Sequence, residues 1–484
     1  MNKPTLCALV VGILAGQLHA AELPDLGDSS LANLPPNAEK QIAQSAAREL
    51  RQSGEVIDDV EISDYLNSLG NRLVSASDDA RQGFTFYPLL SSSINAFAIP
   101  GGVVGVNSGL ILTAQHESEL AAVLSHEIAH VTQHHYARMV ESQKGAGWMS
   151  LAAIALAILA SRGSGDATQA ALAGATGLQY QRQIDFTREF EREADRVGIA
   201  TLERAGFDTK AMPAFFERLQ RFYRNVDNGA FAFLRTHPVT GERIADSAAR
   251  AAQTLGKTHV DSIEFLLMRE RVRAIQLGGR SAVDYYKVTI EQKRYVSAVA
   301  QQYGLAVAAN MVGDYELAKR SLMSAKKVFN RPSPSLDALE GAIELSDGKA
   351  TQALEIFRSA RVAAPYYRAL LYGELDALIR LRRDAEAVAL VEEMLGRRPG
   401  DSGLYKRQAF AYTQMNRLID AKRAQAEYFV SVGDPIAAIE QLQMAVKVGG
   451  GDYYQMSAIE ARLKELRQII RATESDERKR RNVP

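Results

Sequence analysis

At 484 residues, and with about 150 residues per domain as a soft guide, the chain is too long for one compact core and predicts at least two structural units. Apolar residues at 46% and charged residues at 24% are ordinary globular usage, which excludes a wholly disordered, collagen-like or multi-span membrane chain. Lys plus Arg and Asp plus Glu balance at 57 each, so no global basic field supports a nucleic-acid partner.

Residues 1–20 carry Lys3, an apolar run from Leu6 to Ala15, and Leu18, His19 and Ala20 ahead of Ala21 and Glu22, the layout of a cleavable signal peptide. The run is about ten residues, half of the roughly 20 that a spanning helix needs. Cys7, the only cysteine, leaves with that segment, so the mature chain is expected to have no disulfide and to rely on its core. A signal peptide without a stop-transfer run predicts a bacterial periplasmic protein. Residues 21–36, with Pro24, Pro35 and Pro36, read as an extended leader. Helical spacing follows from Asn37 to Ala76, through Ile57, Val60, Ile62, Leu66, Leu69 and Leu73. Phe84 to Ile111, punctuated by Pro88, Pro100 and Gly101, reads as short strands and turns. A helix is predicted from about Glu117 to Arg138, with Leu120, Val123, Leu124, Ile128 and Val131 on its apolar stripe. The run WMSLAAIALAILA at 148–160 rises only about 20 Å as a helix against a hydrocarbon core of about 30 Å. It is expected to form a buried or half-buried hairpin beside the preceding helix, with shallow peripheral contact with a membrane as the second reading.

Beyond about residue 260 strand signals vanish. Ala318, Ala353, Ala387 and Ala421 recur at 35, 34 and 34 residues, and Pro365 and Pro399 lie 34 apart, which is the tetratricopeptide period. Small residues fall in the same register at Ala306, Gly341 and Ala409 and at Ala325 and Ala360. DERKRRNVP at the end reads as a solvated charged tail.

His126-Glu127-Ile128-Ala129-His130 is HExxH within a predicted helix. Four residues apart, both imidazoles share one face and can reach a Zn²⁺, while Glu127 is placed as a general base. Chance would supply about 0.01 such motifs in a chain of this composition. Zinc catalysis needs a third protein ligand and an open fourth position. The scheme HExxHxxGxxH fails, because Gln133 and Tyr136 stand at the Gly and third-His positions. TREFEREADRVG at 187–198 offers carboxylates instead: Glu191 as a ligand, and Asp195, four residues on, to fix the tautomer of a ligand histidine. Glu189 and Glu193 read as solvated, and His134 and His135 as surface residues at the helix end.

NAFAIPGG at 95–102, LAAVLSHEIAHV at 120–131, EREAD at 191–195 and THPVTGER at 236–243 resemble four successive signatures of the gluzincin family that includes the CAAX prenyl proteases and bacterial heat-shock membrane metalloproteases. The resemblance implies zinc ligands at His126, His130 and Glu191, a base at Glu127 and an orienting acid at Asp195. It also sets His237 beside the active site, either as a donor to the reaction's oxyanion or as a fourth ligand that latches the metal; the latch is the favoured expectation. With the leader and the repeats, it further implies a periplasmic member acting on unfolded or misassembled outer-membrane proteins and docking onto the β-barrel assembly machinery.

The expected architecture is a signal peptide at 1–20, a leader at 21–36, an α+β zincin-like metalloprotease domain at 37–260, mostly helical with a small sheet, an all-α tetratricopeptide repeat solenoid at 261–475 and a charged tail at 476–484. One Zn²⁺ per chain is expected. The expected activity is a zinc metalloendopeptidase that degrades misassembled outer-membrane proteins and assists β-barrel assembly. The alternative is a chaperone or scaffold of that assembly, working through the repeats with a vestigial or latched metal site.

Overall fold

A computed structural model describes residues 36–79, 83–142, 177–223, 232–254 and 258–481. The expected signal peptide, most of the leader and the apolar run at 148–160 lie outside these residues. Among the described residues, no helix is long and apolar enough to cross a membrane.

The predicted helical stretch at 37–76 is two helices, α1 (Pro36–Gln52) and α2 (Val60–Ser75). The chain reverses between them at Gly54, whose φ of 72° is in the left-handed region that glycine tolerates, and Val56 bridges to Leu89. Asp59 caps α2 by accepting from the backbone of Glu61 and Ile62. Strands β1 (Thr85–Leu89), β2 (Ala96–Ile99) and β3 (Val103–Asn107) form a mixed sheet in the order β1-β3-β2, with β3 parallel to β1 and antiparallel to β2. Gly105 faces Phe97 across the pairing, and a Cβ there would lie 2.3 Å from the Phe97 ring, so only glycine lets the aromatic lie over β3. Ala38, Ile42, Ala46 and Leu50, four residues apart along α1, cover one sheet face with Tyr87, Leu89, Phe97 and Ile99. The other face belongs to the main core with α2.

After a short helix, α3 (Ser108–Thr113), comes α4 (Glu117–Thr132), whose sixteen residues are all buried. It does not continue to Arg138 as expected. His134 has φ 51°, a left-handed conformation that closes the helix, and α5 (His135–Ser142) starts in a new direction. Helix α6 (Gly177–Ala205) runs beside α4, and Gly198 lets the backbones meet, since a Cβ there would be 3.3 Å from the His126 backbone nitrogen. Helices α7 (Ala211–Tyr223), α8 (Ala232–Thr236) and α9 (Gly241–Gln253) close the unit.

From Ile263 onward the described residues form helices only, packed as successive antiparallel pairs: α10 (Ile263–Leu277), α11 (Gly279–Glu291), α12 (Ala298–Met311), α13 (Tyr315–Phe329), α14 (Pro334–Ser346), α15 (Ala350–Ala363), α16 (Arg368–Arg380), α17 (Asp384–Arg397), α18 (Ser402–Gln414), α19 (Leu418–Ser431), α20 (Pro435–Val448) and α21 (Tyr453–Arg481). The recurring alanines Ala318, Ala353, Ala387 and Ala421 are all buried, one in each of α13, α15, α17 and α19. Gly341 and Gly373 clasp Phe357, where an added Cβ would sit 2.5 and 2.2 Å from the ring. Residues 476–481, expected as a tail, continue α21.

The apolar core of the N-terminal unit does not end near residue 260. It runs without interruption from Ile57 through Phe265, Leu267, Met268 and Val272 of α10 to Ile343 of α14. Polar ties reinforce this contact. Arg271 pairs with Asp59 at 2.7 Å and with the buried Glu61 at 2.9 Å, Tyr367 donates to Glu61 at 2.7 Å, and Arg51 donates to the Val432 carbonyl at 2.8 Å.

Candidate metal centre

Helix α4 presents His126 and His130 one turn apart, and α6 presents Glu191 and Asp195 one turn apart on the facing side. His237 follows α8 and donates its backbone N–H to the Phe233 carbonyl at 2.7 Å. The result gathers donor atoms of His126, His130, Glu191 and His237 within 4.8 Å of one another. His126 Nε2 is 3.0 Å from His130 Nε2 and 3.3 Å from His237 Nδ1. The Glu191 oxygens lie 3.4 Å from each of His126 Nε2 and His130 Nε2, and 2.9 Å from His237 Nδ1. Ligands at 2.0–2.1 Å around a tetrahedral ion are separated by about 3.3 Å, so these spacings fit one small cation. His126 is fully buried, while the side chains of His130 and His237 keep 10% and 12% of their surface exposed and form the open side.

Charge bookkeeping fits the same ion. Glu191 and Asp195 are buried and face one guanidinium, that of Arg243, itself buried, leaving one negative charge unmatched. Arg243 makes a two-pronged contact with Asp195 at 2.7 and 2.8 Å, donates to the Pro238 carbonyl at 2.8 Å and lies 2.8 Å from Glu191 Oε2. Burial favours protonation of Glu191, but His237 and Arg243, with hydrogen bonds from His126 and His130, outweigh it and hold the carboxyl well below its usual range. Burial works against a charged His126, yet Asp195 and Glu191 push its pKa up to about 9, so without metal a proton there meets the missing charge. His126 Nδ1 lies 3.0 Å from Asp195 Oδ1, an ion-pair contact off the line of a hydrogen bond. Glu127 Oε1 is buried without a hydrogen bond, 3.3 Å from His237 Nε2. A divalent metal suits this donor set and this charge.

All six residues expected at the site are therefore brought together. Two expectations at its edge are corrected. His135 is not a surface residue: it is 3% exposed, its Nδ1 is 2.9 Å from His130 Nδ1, and its ring stacks on Phe190 at 4.3 Å. Glu193 is not merely solvated, because it holds His135 Nε2 at 3.2 Å and Arg138 at 2.7 Å. Burial, with His130 and Arg138 nearby, drives the pKa of His135 down to about 2. Glu189 is exposed, as expected. Arg243, six residues after His237 in THPVTGER, is a site residue to which the sequence alone assigns no role.

A model of peptidase family M48 matches residues 62–251. Over 489 aligned positions, 97% of each chain, the sequence is 31% identical to the Beta-barrel assembly-enhancing protease of Escherichia coli (strain K12). The chain belongs to peptidase family M48. It is also 40% identical to a Putative beta-barrel assembly-enhancing protease of Vibrio cholerae over 291 residues, 59% of each chain. The Mitochondrial metalloendopeptidase OMA1 of Schizosaccharomyces pombe is 28% identical over 180 residues, 37% of this chain and 50% of that one. The resemblance carried by the four sequence motifs is thus borne out, and this M48 member is a metalloendopeptidase.

Proposed function

We propose that this M48 peptidase is a periplasmic zinc endopeptidase that degrades unfolded or misassembled outer-membrane proteins and assists β-barrel assembly, with a tetratricopeptide array that recruits clients or the assembly machinery. The observation that carries the chemistry is the near-tetrahedral spacing of His126, His130 and Glu191 beside a buried, unbonded Glu127 oxygen. The setting is supported by likeness, along nearly the whole chain, to a protease named for enhancing β-barrel assembly, and the array by the 34-residue period.

His126, His130 and Glu191 would hold the zinc, which when bound supplies Lewis acidity that lowers the pKa of a water and polarises the scissile carbonyl. Asp195 orients the His126 ring, and Arg243 keeps both acids of α6 ionised and in place. Glu127, at Oε1, takes the proton from the attacking water and delivers it to the leaving amine. Strand β2 is an edge of the sheet, and an extended substrate adds along it as a further strand where the Ala98 carbonyl, now accepting from the Tyr136 hydroxyl at 2.7 Å, is released. His237 serves as a latch: Nδ1 occupies the fourth corner of the donor cluster while Nε2 faces Glu127. The same contact favours a second reading, a scaffold of assembly whose metal site stays latched.

The test is Glu127→Gln in the full chain, with an unfolded outer-membrane β-barrel protein as substrate. Zinc content is expected to match the parent and cleavage to disappear. Cleavage at the parental rate would reject the mechanism, and a parent that binds zinc but never cleaves would favour the scaffold.

A further inference from the structure

His130 carries its metal-facing lone pair on Nε2, so its single ring proton has to sit on Nδ1 and needs an acceptor. At its neighbour His126, Nδ1 has a carboxylate oxygen, Asp195 Oδ1, 3.0 Å away. His130 has none, and its Nδ1 instead meets His135 Nδ1 at 2.9 Å. Two neutral imidazoles can share that contact in two directions. In one, His130 donates and His135 carries its proton on Nε2, aimed at Glu193 Oε2 3.2 Å away. In the other, His130 carries its proton on Nε2, where it cannot bind metal, and the bare His135 Nε2 faces the Glu193 oxygen with lone pair against lone pair. The carboxylate accepts only, so Glu193 selects the first direction. Arg138 holds Glu193 at 2.7 Å, and Phe190 stacks flat on His135 with an interplanar angle of 13°. The left-handed turn at His134 brings His135 there. In an uninterrupted helix a residue five positions beyond His130 would point away from it.

Resting on the reading of the cluster as a zinc site, we propose that His135, held by Glu193, is a positioning residue that fixes His130 as the Nδ1–H tautomer and so presents its Nε2 to the metal. Neither residue touches the ion or the substrate.

Zinc affinity of the full-length protein, by competition with a chromophoric chelator, and the d–d spectrum of its cobalt(II) form are compared for the parent, His135→Phe, His135→Gln and Glu193→Leu. Phe keeps the stack on Phe190 but accepts no proton, so zinc binding is expected to weaken 10–100-fold, the usual cost of losing an outer partner. Gln offers a carbonyl to His130 and an N–H to Glu193 and is expected to recover most of that loss with a parental cobalt spectrum. Glu193→Leu leaves both imidazoles in place and is expected to weaken zinc binding as well, and it decides the matter should His135→Phe fail to fold. A parent that binds zinc together with variants that bind it equally well overturns the proposal alone. Equal weakening by Phe and Gln also overturns it, because mere space filling would then be the role of His135. A parent that takes up no zinc overturns the reading of the cluster first, and the proposal with it.

Discussion

Arg243→Met tests the charge balance of the site without replacing a metal donor. The guanidinium is almost wholly enclosed, with two bonds to Asp195, one to the Pro238 carbonyl and a close approach to Glu191. Methionine fills much of the volume against Phe216 but strands two buried carboxylates and a carbonyl. Breaking a buried ion pair on one side costs about 3–5 kcal/mol, against about 5–15 kcal/mol for the stability of a domain. Urea unfolding in the presence of a chelator, followed by circular dichroism, reads this loss free of metal binding. Arg243→Lys restores the charge but not the two-pronged geometry and is expected to lie between parent and Met. Adding Asp195→Asn to Arg243→Met removes one of the stranded charges, so the double variant is expected to be more stable than Arg243→Met alone. A loss for Arg243→Met no larger than the about 0.5 kcal/mol of a surface substitution would refute the balance, as would a double variant whose losses simply add.

If His237 is a latch, His237→Ala at saturating zinc speeds turnover of an unfolded client; slower turnover with normal zinc content assigns it instead to stabilising the oxyanion. Burial holds the Glu61 carboxyl above its ordinary 4.5 even with Arg271 beside it, so the folded protein keeps this proton to higher pH than the unfolded chain. Its contribution is therefore fully present below 4.5 and lost as pH rises through the raised folded value, and the stability of the parent relative to Glu61→Gln should fall over that window; a relative stability that rises with pH contradicts this. Ending the chain after about residue 262 uncovers the surfaces packed by Phe265, Leu267, Met268 and Val272, each worth about 1.5–3 kcal/mol of burial, and should abolish cooperative melting; a parental melting curve from the shortened protein would show that the N-terminal unit stands alone.

The expected ligand set was legible in part through helix geometry, which puts His126 with His130 and Glu191 with Asp195 on one face each, and in part only through the motif resemblance, since Glu189 and Glu193 share the same four-residue spacing and geometry alone does not choose Glu191. The helical array was legible for a similar reason, since its small residues repeat in one register. His135 was hidden because the helix pattern runs on through it, and only the left-handed backbone of His134, which no periodicity marks, turns it inward. Glu193, Asp59 and Glu61 were hidden because an acid that will pair with an arginine far along the chain looks the same as one that faces water. The mixed order of the sheet was equally out of reach, as three short strands buried at every residue but Thr85 carry no alternation to show which edges meet.

The continuity of apolar packing from Ile57 to Ile343 bears on how such a protein can be rebuilt or can diverge. A peptidase joined to its helical array by a linker could exchange that array for another at the linker. Here a graft made near residue 260 would have to match the apolar face of α10 and would also lose the ties that reach the N-terminal unit from the start of α16, Tyr367 with Glu61 and Arg368 with Asp64, and from the end of α19, the Val432 carbonyl with Arg51, whereas one made after Ser346 would split the α14–α15 hairpin and still lose those ties. The inheritable module is therefore the peptidase together with the array as far as α19, and variation in what the protein recruits is expected on the array surfaces that these ties leave free.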